Sequence, residues 1–238
     1  MLAVDSVSVS FGGLKALAEV SLDVEAGAVT GLIGPNGAGK TTLFNAVCGL
    51  QLPDSGRIRL DERDITDLKP YQRARLGVGR TFQRLEVFGS LSVYDNILVA
   101  ADLNRGHNGD AVDARSLAAE ILQLVGLRDL ARTRADQLPT GQARLLELGR
   151  ALATGPRLLL LDEPSSGLDE GETDDLAVLL DTLASRGLAV LLVEHDVELV
   201  MRVCKRIHVL DFGNILAVGT PQEIRRNKAV QHAYLGGA

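Results

Sequence analysis

Residues 34–41 read Gly-Pro-Asn-Gly-Ala-Gly-Lys-Thr, and the reading of this stretch decides the fold. It meets the pattern G-x-x-x-x-G-K-[ST] at every fixed position. Ahead of it, Ala28-Val29-Thr30-Gly31-Leu32-Ile33 is apolar enough for a buried strand, and behind it Thr42-Leu43-Phe44-Asn45-Ala46-Val47-Cys48 can continue as a helix. Strand, glycine loop and helix in that order turn the pattern into a phosphate cradle. Gly34, Gly37 and Gly39 permit backbone geometries that a Cβ would obstruct, so successive N–H groups, those of Asn36 and Ala38 included, can turn inward around phosphate oxygens. The positive end of the following helix, through Thr42, adds to that field. Lys40 supplies a mobile charge for β- and γ-phosphates, and the Thr41 hydroxyl can ligate Mg²⁺. The stretch reads as a nucleoside triphosphate site.

Two further strands carry chemistry. Leu158-Leu159-Leu160-Leu161-Asp162-Glu163 is apolar on both faces, as a central parallel strand requires, and ends in two carboxylates. Asp162 suits Mg²⁺, directly or through water, while Glu163 points elsewhere and suits orienting or deprotonating a water. Alone, such a run is an ordinary strand end. Beside a phosphate loop it gains a function, because nucleotide sites form beyond the carboxyl ends of strands. His195, in Val193-Glu194-His195-Asp196, closes another apolar strand, where a neutral imidazole can reach a γ-phosphate or water. A lone histidine is otherwise a surface or core residue, and position alone leaves both readings open. Gln83, in Arg80-Thr81-Phe82-Gln83, is chemically reasonable at a metal or water position, yet a single glutamine carries little signal.

The rest of the chain gives organisation. With 238 residues it is one large domain or a core plus a subdomain. A net charge of −6 offers no basic footprint for nucleic acid. Cys48 and Cys204 have no metal or redox spacing, and no apolar run approaches the ~20 residues of a membrane span. The N-terminus lacks the basic start and apolar stretch of a signal peptide. Residues 3–11 set Val7, Val9 and Phe11 against Ser6, Ser8 and Ser10, the alternation of a half-buried strand; Val20, Leu22 and Val24 repeat it. Residues 90–154 read as nearly all helix, with Ser92 as an N-cap, a stripe of Leu117, Ile121, Leu124 and Val125, and a third helix over about 141–154. A polar loop is expected at Asn104–Asp110. Ile207–Leu210 and Ile215–Val218 read as strands around a Gly213-Asn214 hairpin turn, and Thr220-Pro221-Gln222-Glu223 as a capping box.

In order along the chain, these motifs resemble the ATP-binding subunit of ABC transporters over its whole length. Residues 34–41 look like its Walker A, Gln83 its Q-loop glutamine, Leu158–Glu163 its Walker B with catalytic glutamate, Ser165–Asp169 its D-loop and His195 its switch histidine. Leu138-Pro139-Thr140-Gly141-Gln142 and the helix after it resemble the signature. Phe11 lies where the family sets an aromatic ring against adenine, though a strand phenylalanine is otherwise core. The resemblance implies an α/β fold with a P-loop NTPase (RecA-like) core, an N-terminal antiparallel β-subdomain and an inserted α-helical signature subdomain. The single domain would span 1–238, with the core and β-subdomain over 1–89 and 155–238 and the helical part over 90–154. It implies ATP and Mg²⁺, the metal held by Thr41, Asp162 and Gln83. It gives catalytic roles to Glu163, His195, Lys40 and Gln83, and roles in trans to Thr140, Gly141, Gln142 and Asp169.

One departure from the family matters. The signature is usually Leu-Ser-Gly-Gly-Gln, and here proline replaces the serine at Pro139, removing a hydroxyl and an N–H. The expectation is a weaker or asymmetric site wherever this turn closes over a partner's nucleotide. Phe11-Gly12-Gly13-Leu14-Lys15-Ala16-Leu17, Arg80–Gln83, Gly219–Arg225 and Ala233-Tyr234-Leu235-Gly236 resemble the LivG type of branched-chain amino acid importer ATPase. The implied partners are a second ABC ATPase subunit, identical or similar, two integral membrane permeases and, indirectly, an extracytoplasmic solute-binding protein, but no nucleic acid. The implied place is cytoplasmic, on the inner face of the membrane. Urea or lipid are alternative substrates. A soluble ABC ATPase of DNA repair or translation is the competing class, but such proteins tend to carry coiled-coil inserts, zinc sites or tandem cassettes. A phosphate-loop kinase or GTPase leaves the signature and His195 segments without an account.

Overall fold

The computed structural model describes residues 1–82, 85–108 and 113–233. Strands β1 (Leu2–Phe11) and β2 (Leu14–Val24) form a hairpin through Gly12 and Gly13, followed by β3 (Val29–Ile33) and helix α1 (Lys40–Cys48). Next come β4 (Ser55–Leu60), β5 (Arg63–Asp64), α2 (Pro70–Arg75) and β6 (Val78–Arg80). Three helices interrupt the strands: α3 (Val93–Asn108), α4 (Ala114–Leu124) and α5 (Thr140–Ala153). Alternation then resumes with β7 (Leu158–Asp162), α6 (Glu170–Ser185), β8 (Ala189–Val193), α7 (Val197–Val203), β9 (Arg206–Asp211) and β10 (Asn214–Gly219). Helices α8 (Pro221–Arg226) and α9 (Lys228–Ala233) follow.

Two sheets result. One is antiparallel, in the order β2-β1-β4-β5; the other runs β10-β9-β3-β8-β7-β6 and is parallel except for β10. Every residue of β3, β7 and β8 is buried, and the side chains divide with period two. Leu159, Leu161, Val190 and Leu192 join a core with the helices α3 to α7, whereas Leu158, Leu160, Leu191 and Val193 join α1 and the antiparallel sheet. Each such leucine is worth about 1.5–3 kcal/mol relative to exposure, so the strands are fixed in register from both faces.

The departures from the expected pattern have local causes. The β1 alternation breaks at Ser6, which adopts φ 48° where the register slips between Asp5 and Ser8. Gly56 makes room for that bulge, since a Cβ there would lie 2.5 Å from the Ser6 carbonyl oxygen. Ser8 consequently turns inward, its hydroxyl accepting from Glu19 N at 3.0 Å, and Phe11 ends 50% exposed instead of in the core. The expected loop at 104–110 is helical as far as Asn108, because buried Asn104 donates to the Ala153 carbonyl at 3.1 Å and ties α3 to the end of α5. Residues 109–112 lie outside the described residues. The β9–β10 turn sits one residue earlier than expected: Asp211 pairs with Asn214, leaving Phe212 and Gly213 as the turn, at φ 41° and 76°.

The C-terminal end of α1 is closed by Arg73, whose side chain is fully buried. Its Nη1 donates to the carbonyls of Ala46 (2.5 Å) and Val47 (2.8 Å), Nη2 to Thr66 (2.7 Å) and Nε to Leu68 (3.0 Å). The last-turn carbonyls, of which Ala46 O also accepts from Gly49 N at 3.2 Å, find this guanidinium, which also complements the negative end of the helix. The helix that follows the glycine loop is thus held from behind.

Candidate active site

The glycine loop is built by close backbone approach. Gly34 has φ 154°, and a Cβ there would come within 2.0 Å of the Leu210 carbonyl oxygen. Gly39 has φ 110° and would meet the Ala16 carbonyl oxygen at 2.6 Å. Glycine alone fits both places, so β9 and β2 clamp the loop. Gly39 is also the N-cap of α1 and brings no side chain to the first N–H groups, which are left for a ligand. Lys40 lies almost wholly buried and folds back, Nζ donating to the carbonyls of Gly34 at 2.6 Å and Pro35 at 2.9 Å. Burial pulls its pKa down, and nearby Glu163 and Asp162 oppose that. A cationic, N–H-lined hollow of this kind suits phosphate.

Beyond the carboxyl end of β7, the chain turns sharply. Glu163 takes φ 53°, a strained value for a non-glycine residue, with its N–H donating to Val193 O at 2.9 Å. That turn sends its carboxylate to His195, Oε1 lying 2.7 Å from Nε2. Asp162 stays behind it and buried, its N–H received by Thr81 Oγ1 at 3.2 Å, its Oδ2 3.4 Å from Arg80 Nη2. Burial pushes the Asp162 pKa up and outweighs the opposing Arg80. Lys40, Thr41, Asp162, Glu163 and His195 line one cleft, with Asn36, Gly37, Ala38, Gly39 and Thr42 along its floor. Thr41 and Asp162 are oxygen donors of the type that holds Mg²⁺. Gln83 lies outside the described residues, and the described ones contain no cluster of three or more His, Cys, Asp or Glu side chains suited to a metal.

The remaining expected residues sit elsewhere. Thr140, Gly141, Gln142 and Asp169 are absent from the cleft lining. Gly141 packs on residues 167–168 of its own chain, where a Cβ would meet Gly167 O and Leu168 Cδ2 at 2.9 Å, while Pro139 and Thr140 stay exposed. Pro139 is the N-cap of α5 and makes no side-chain cap. Asp169 caps α6, accepting from Glu172 N at 2.8 Å. Phe11 is also absent from the cleft wall; Leu14, its partner across the hairpin, is present, as is Phe212.

Several contributors escape a reading of sequence. Glu194 is buried, and its two carboxylate oxygens accept from Ser165 N (2.8 Å) and His195 N (3.1 Å), so one side chain sets both the D-loop start and the histidine. Burial pushes its pKa up against those bonds. Its only sequence signal is a carboxylate directly after an apolar strand. On α5, Arg144 donates to Phe82 O (2.7 Å), Glu147 accepts from Phe82 N (3.0 Å), and Arg150 donates to Glu86 O and lies 4.4 Å from the Phe88 ring centre. The spacing i, i+3, i+6 marked one helical face, but its partner segment was not legible. Phe82, Phe88, Val99 and Leu103 leave an exposed apolar groove beside this connection.

A glycine loop on a parallel sheet, facing a lysine, two carboxylates and a histidine at the strand ends, defines a phosphate-loop ATPase. The chain matches the family described as ABC transporter over residues 17–166, and the Branched-chain amino acid ATP-binding cassette transporter over 214–238. It is 43% identical to the high-affinity branched-chain amino acid transport ATP-binding protein BraF of Pseudomonas aeruginosa, and 41% identical to LivG of Salmonella typhimurium. Both alignments cover 100% of this chain and 98% of the relative. LptB of Haemophilus influenzae, a lipopolysaccharide export system ATP-binding protein, is 34% identical over 99% of this chain and 97% of its own. Among solved structures, the ADP conformation of an ABC transporter's ATP-binding cassette superposes with TM-score 0.87 at 30% identity, covering 100% of this chain and 99% of the other. A dimeric bacterial ABC transporter cassette gives 0.83 at 26% identity, covering 93% and 99%. The chain belongs to the ABC transporter family: it is the ATP-binding, ATP-hydrolysing subunit of such a transporter.

Proposed function

We propose that this subunit powers the import of branched-chain amino acids, working in a pair of ATPase subunits attached to two membrane permeases. The observation that carries the catalytic part is the 2.7 Å contact between Glu163 and His195 at the mouth of the cleft that holds Lys40 and Asp162. ATP phosphates would lie along the N–H groups of the loop and of the first turn of α1, and Lys40 would shift from the loop carbonyls to the β- and γ-phosphates. Thr41, Asp162 and Gln83 would hold Mg²⁺, which would supply charge neutralisation to the phosphates. Glu163 orients and deprotonates the attacking water, and His195 keeps the carboxylate in place and reaches the γ-phosphate.

The signature turn supports the pairing. Its exposed Pro139 and Thr140 lie outside the cleft of their own chain, so a second subunit is what brings such a turn to a nucleotide. ATP then favours the closed pair because it gains contacts only there, and loss of the γ-phosphate removes them. Movement passes to the permeases through Phe82 and Glu86, held by Arg144, Glu147 and Arg150, and the helices of 90–154 act as a lever with the apolar groove as docking place. No described helix is long and apolar enough to cross a membrane, so the permeases would supply attachment at the inner face.

The solute is supported by the relatives' names and the 214–238 match alone. Proteoliposomes holding the subunit, two permeases and a solute receptor test it: leucine, isoleucine or valine should stimulate ATP hydrolysis and enter the vesicles. Stimulation by another solute only, such as urea or a lipid, removes the substrate reading. Recovery of the native protein with ribosomes or DNA instead of permeases removes the transport reading.

A further inference from the structure

Arg80 closes β6 with a side chain only 8% exposed, and it lies outside the lining of the nucleotide cleft. Its guanidinium is fixed from behind. Nη1 donates to Asn45 Oδ1 on α1 at 2.6 Å, and Nε donates to the Thr81 carbonyl at 3.3 Å. The group also lies 5.5 Å from the Phe44 ring centre and 5.0 Å from that of Phe82. The Asn45 amide, the two rings and the adjacent Cys48 thiol, kept protonated by burial, bring no charge to it. Asp162 does, through a loose contact of Nη2 with Oδ2 at 3.4 Å.

This pattern is the reverse of a strong ion pair. Arginine and a carboxylate left to themselves meet as a fork, two parallel bonds of about 2.8 Å that engage both oxygens. A carboxylate held that way has little left for a cation in the cleft. Here the short bond goes to neutral Asn45, so the guanidinium keeps its place without closing on Asp162. The Asp162 backbone is fixed as well, its N–H donating to buried Thr81 Oγ1 at 3.2 Å. We propose that Asn45 and Arg80 form a tether that positions the Asp162 carboxylate for a divalent cation without neutralising it. Groups that hold a metal ligand from behind set metal affinity by about 10–100-fold. The proposal deepens the reading of the cleft as the site of ATP and Mg²⁺, and rests on it.

The test titrates the full chain with the non-hydrolysable analogue AMP-PNP by calorimetry, once in magnesium and once in EDTA. Arg80→Gln should weaken binding roughly 10-fold or more in magnesium and leave it unchanged in EDTA. Asn45→Ala keeps the arginine but frees it to fork onto Asp162, so it too should lose magnesium-dependent affinity. The double variant should lose no more than the larger single loss, and additive losses would overturn the tether. Arg80→Lys should not restore the native value, since a compact ammonium cannot bond Asn45 and Asp162 at once. Full rescue by lysine would mean that charge alone counts and would overturn the proposal, as would equal weakening with and without magnesium, the mark of a merely structural role. Should Arg80→Gln fail to fold, Asn45→Ala decides alone, and a native magnesium dependence in it overturns the proposal. Asp162→Asn separates the two levels. If it abolishes the gain from magnesium while Arg80→Gln and Asn45→Ala keep it, the tether fails and the metal reading stands; if Asp162→Asn keeps it too, both fail.

Discussion

Two glycine-bearing turns in this chain open helices in opposite ways. At residues 34–41 the loop is clamped by its own molecule, with Leu210 and Ala16 closing on Gly34 and Gly39. At residues 138–142 the turn rests on residues 167–168 through Gly141 and exposes Pro139 and Thr140. Yet both share a trait: neither α1 nor α5 has a side-chain cap, whereas Asp113, Asp169, Asp196 and Thr220 cap α4, α6, α7 and α8. A side-chain cap satisfies the N–H groups that an anion would otherwise take. The difference fits the proposed reading, in which the first turn binds phosphate within its own chain and the second is a half-site that a partner's nucleotide would complete.

The comparison breaks most visibly at the chemistry. Glu163→Gln should slow hydrolysis by about 10²–10⁴-fold, keep ATP bound, and lock two chains into a dimer resolved by size-exclusion chromatography. A variant still monomeric at saturating ATP would contradict the half-site. Gly34→Ala drives a Cβ to 2.0 Å from a backbone oxygen, so at least about 3 kcal/mol should be lost together with nucleotide binding, read by denaturation and titration. Gly141→Ala should behave differently. Its clash at 2.9 Å with Gly167 O costs about 1–3 kcal/mol, and ATP affinity of the single chain should persist while turnover in the assembled transporter falls.

Acid sharpens the contrast by weakening the fold beneath both turns alike. His208 is 2% exposed, both ring nitrogens lack a hydrogen-bond partner, and burial drives its pKa from 6.5 to about 4, with Arg206 adding and Asp23 opposing. The folded state keeps it neutral, so its contribution is full above pH 6.5 and is lost as pH falls toward 4. At pH 5 stability should be about 2 kcal/mol lower than at pH 7 from this residue, and His208→Leu should flatten that slope in urea titrations. The smallest effect is expected at Pro139→Ser. A new N-cap on α5 should add about 1 kcal/mol of stability and return the missing donor, raising turnover of the assembled complex. An unchanged rate would show that the turn functions equally well bare.

Sequence by itself determined the loop, the buried strands and the carboxylates at their ends. Those signals are local: glycine spacing, apolar runs and the polar residue that ends each run are set by backbone sterics and burial within a few residues. The helical middle was legible for the same reason, through its 3.6-residue stripes. Only tertiary structure decided what lies across the cleft. The meeting of Glu163 with His195, the Glu194 bracket, the grip of α5 on Phe82, Glu86 and Phe88 and the place of Phe212 on the wall join segments tens of residues apart. Their distances follow from how β7, β8 and β9 stack beside β3 in one sheet, an order that no short stretch of chain encodes.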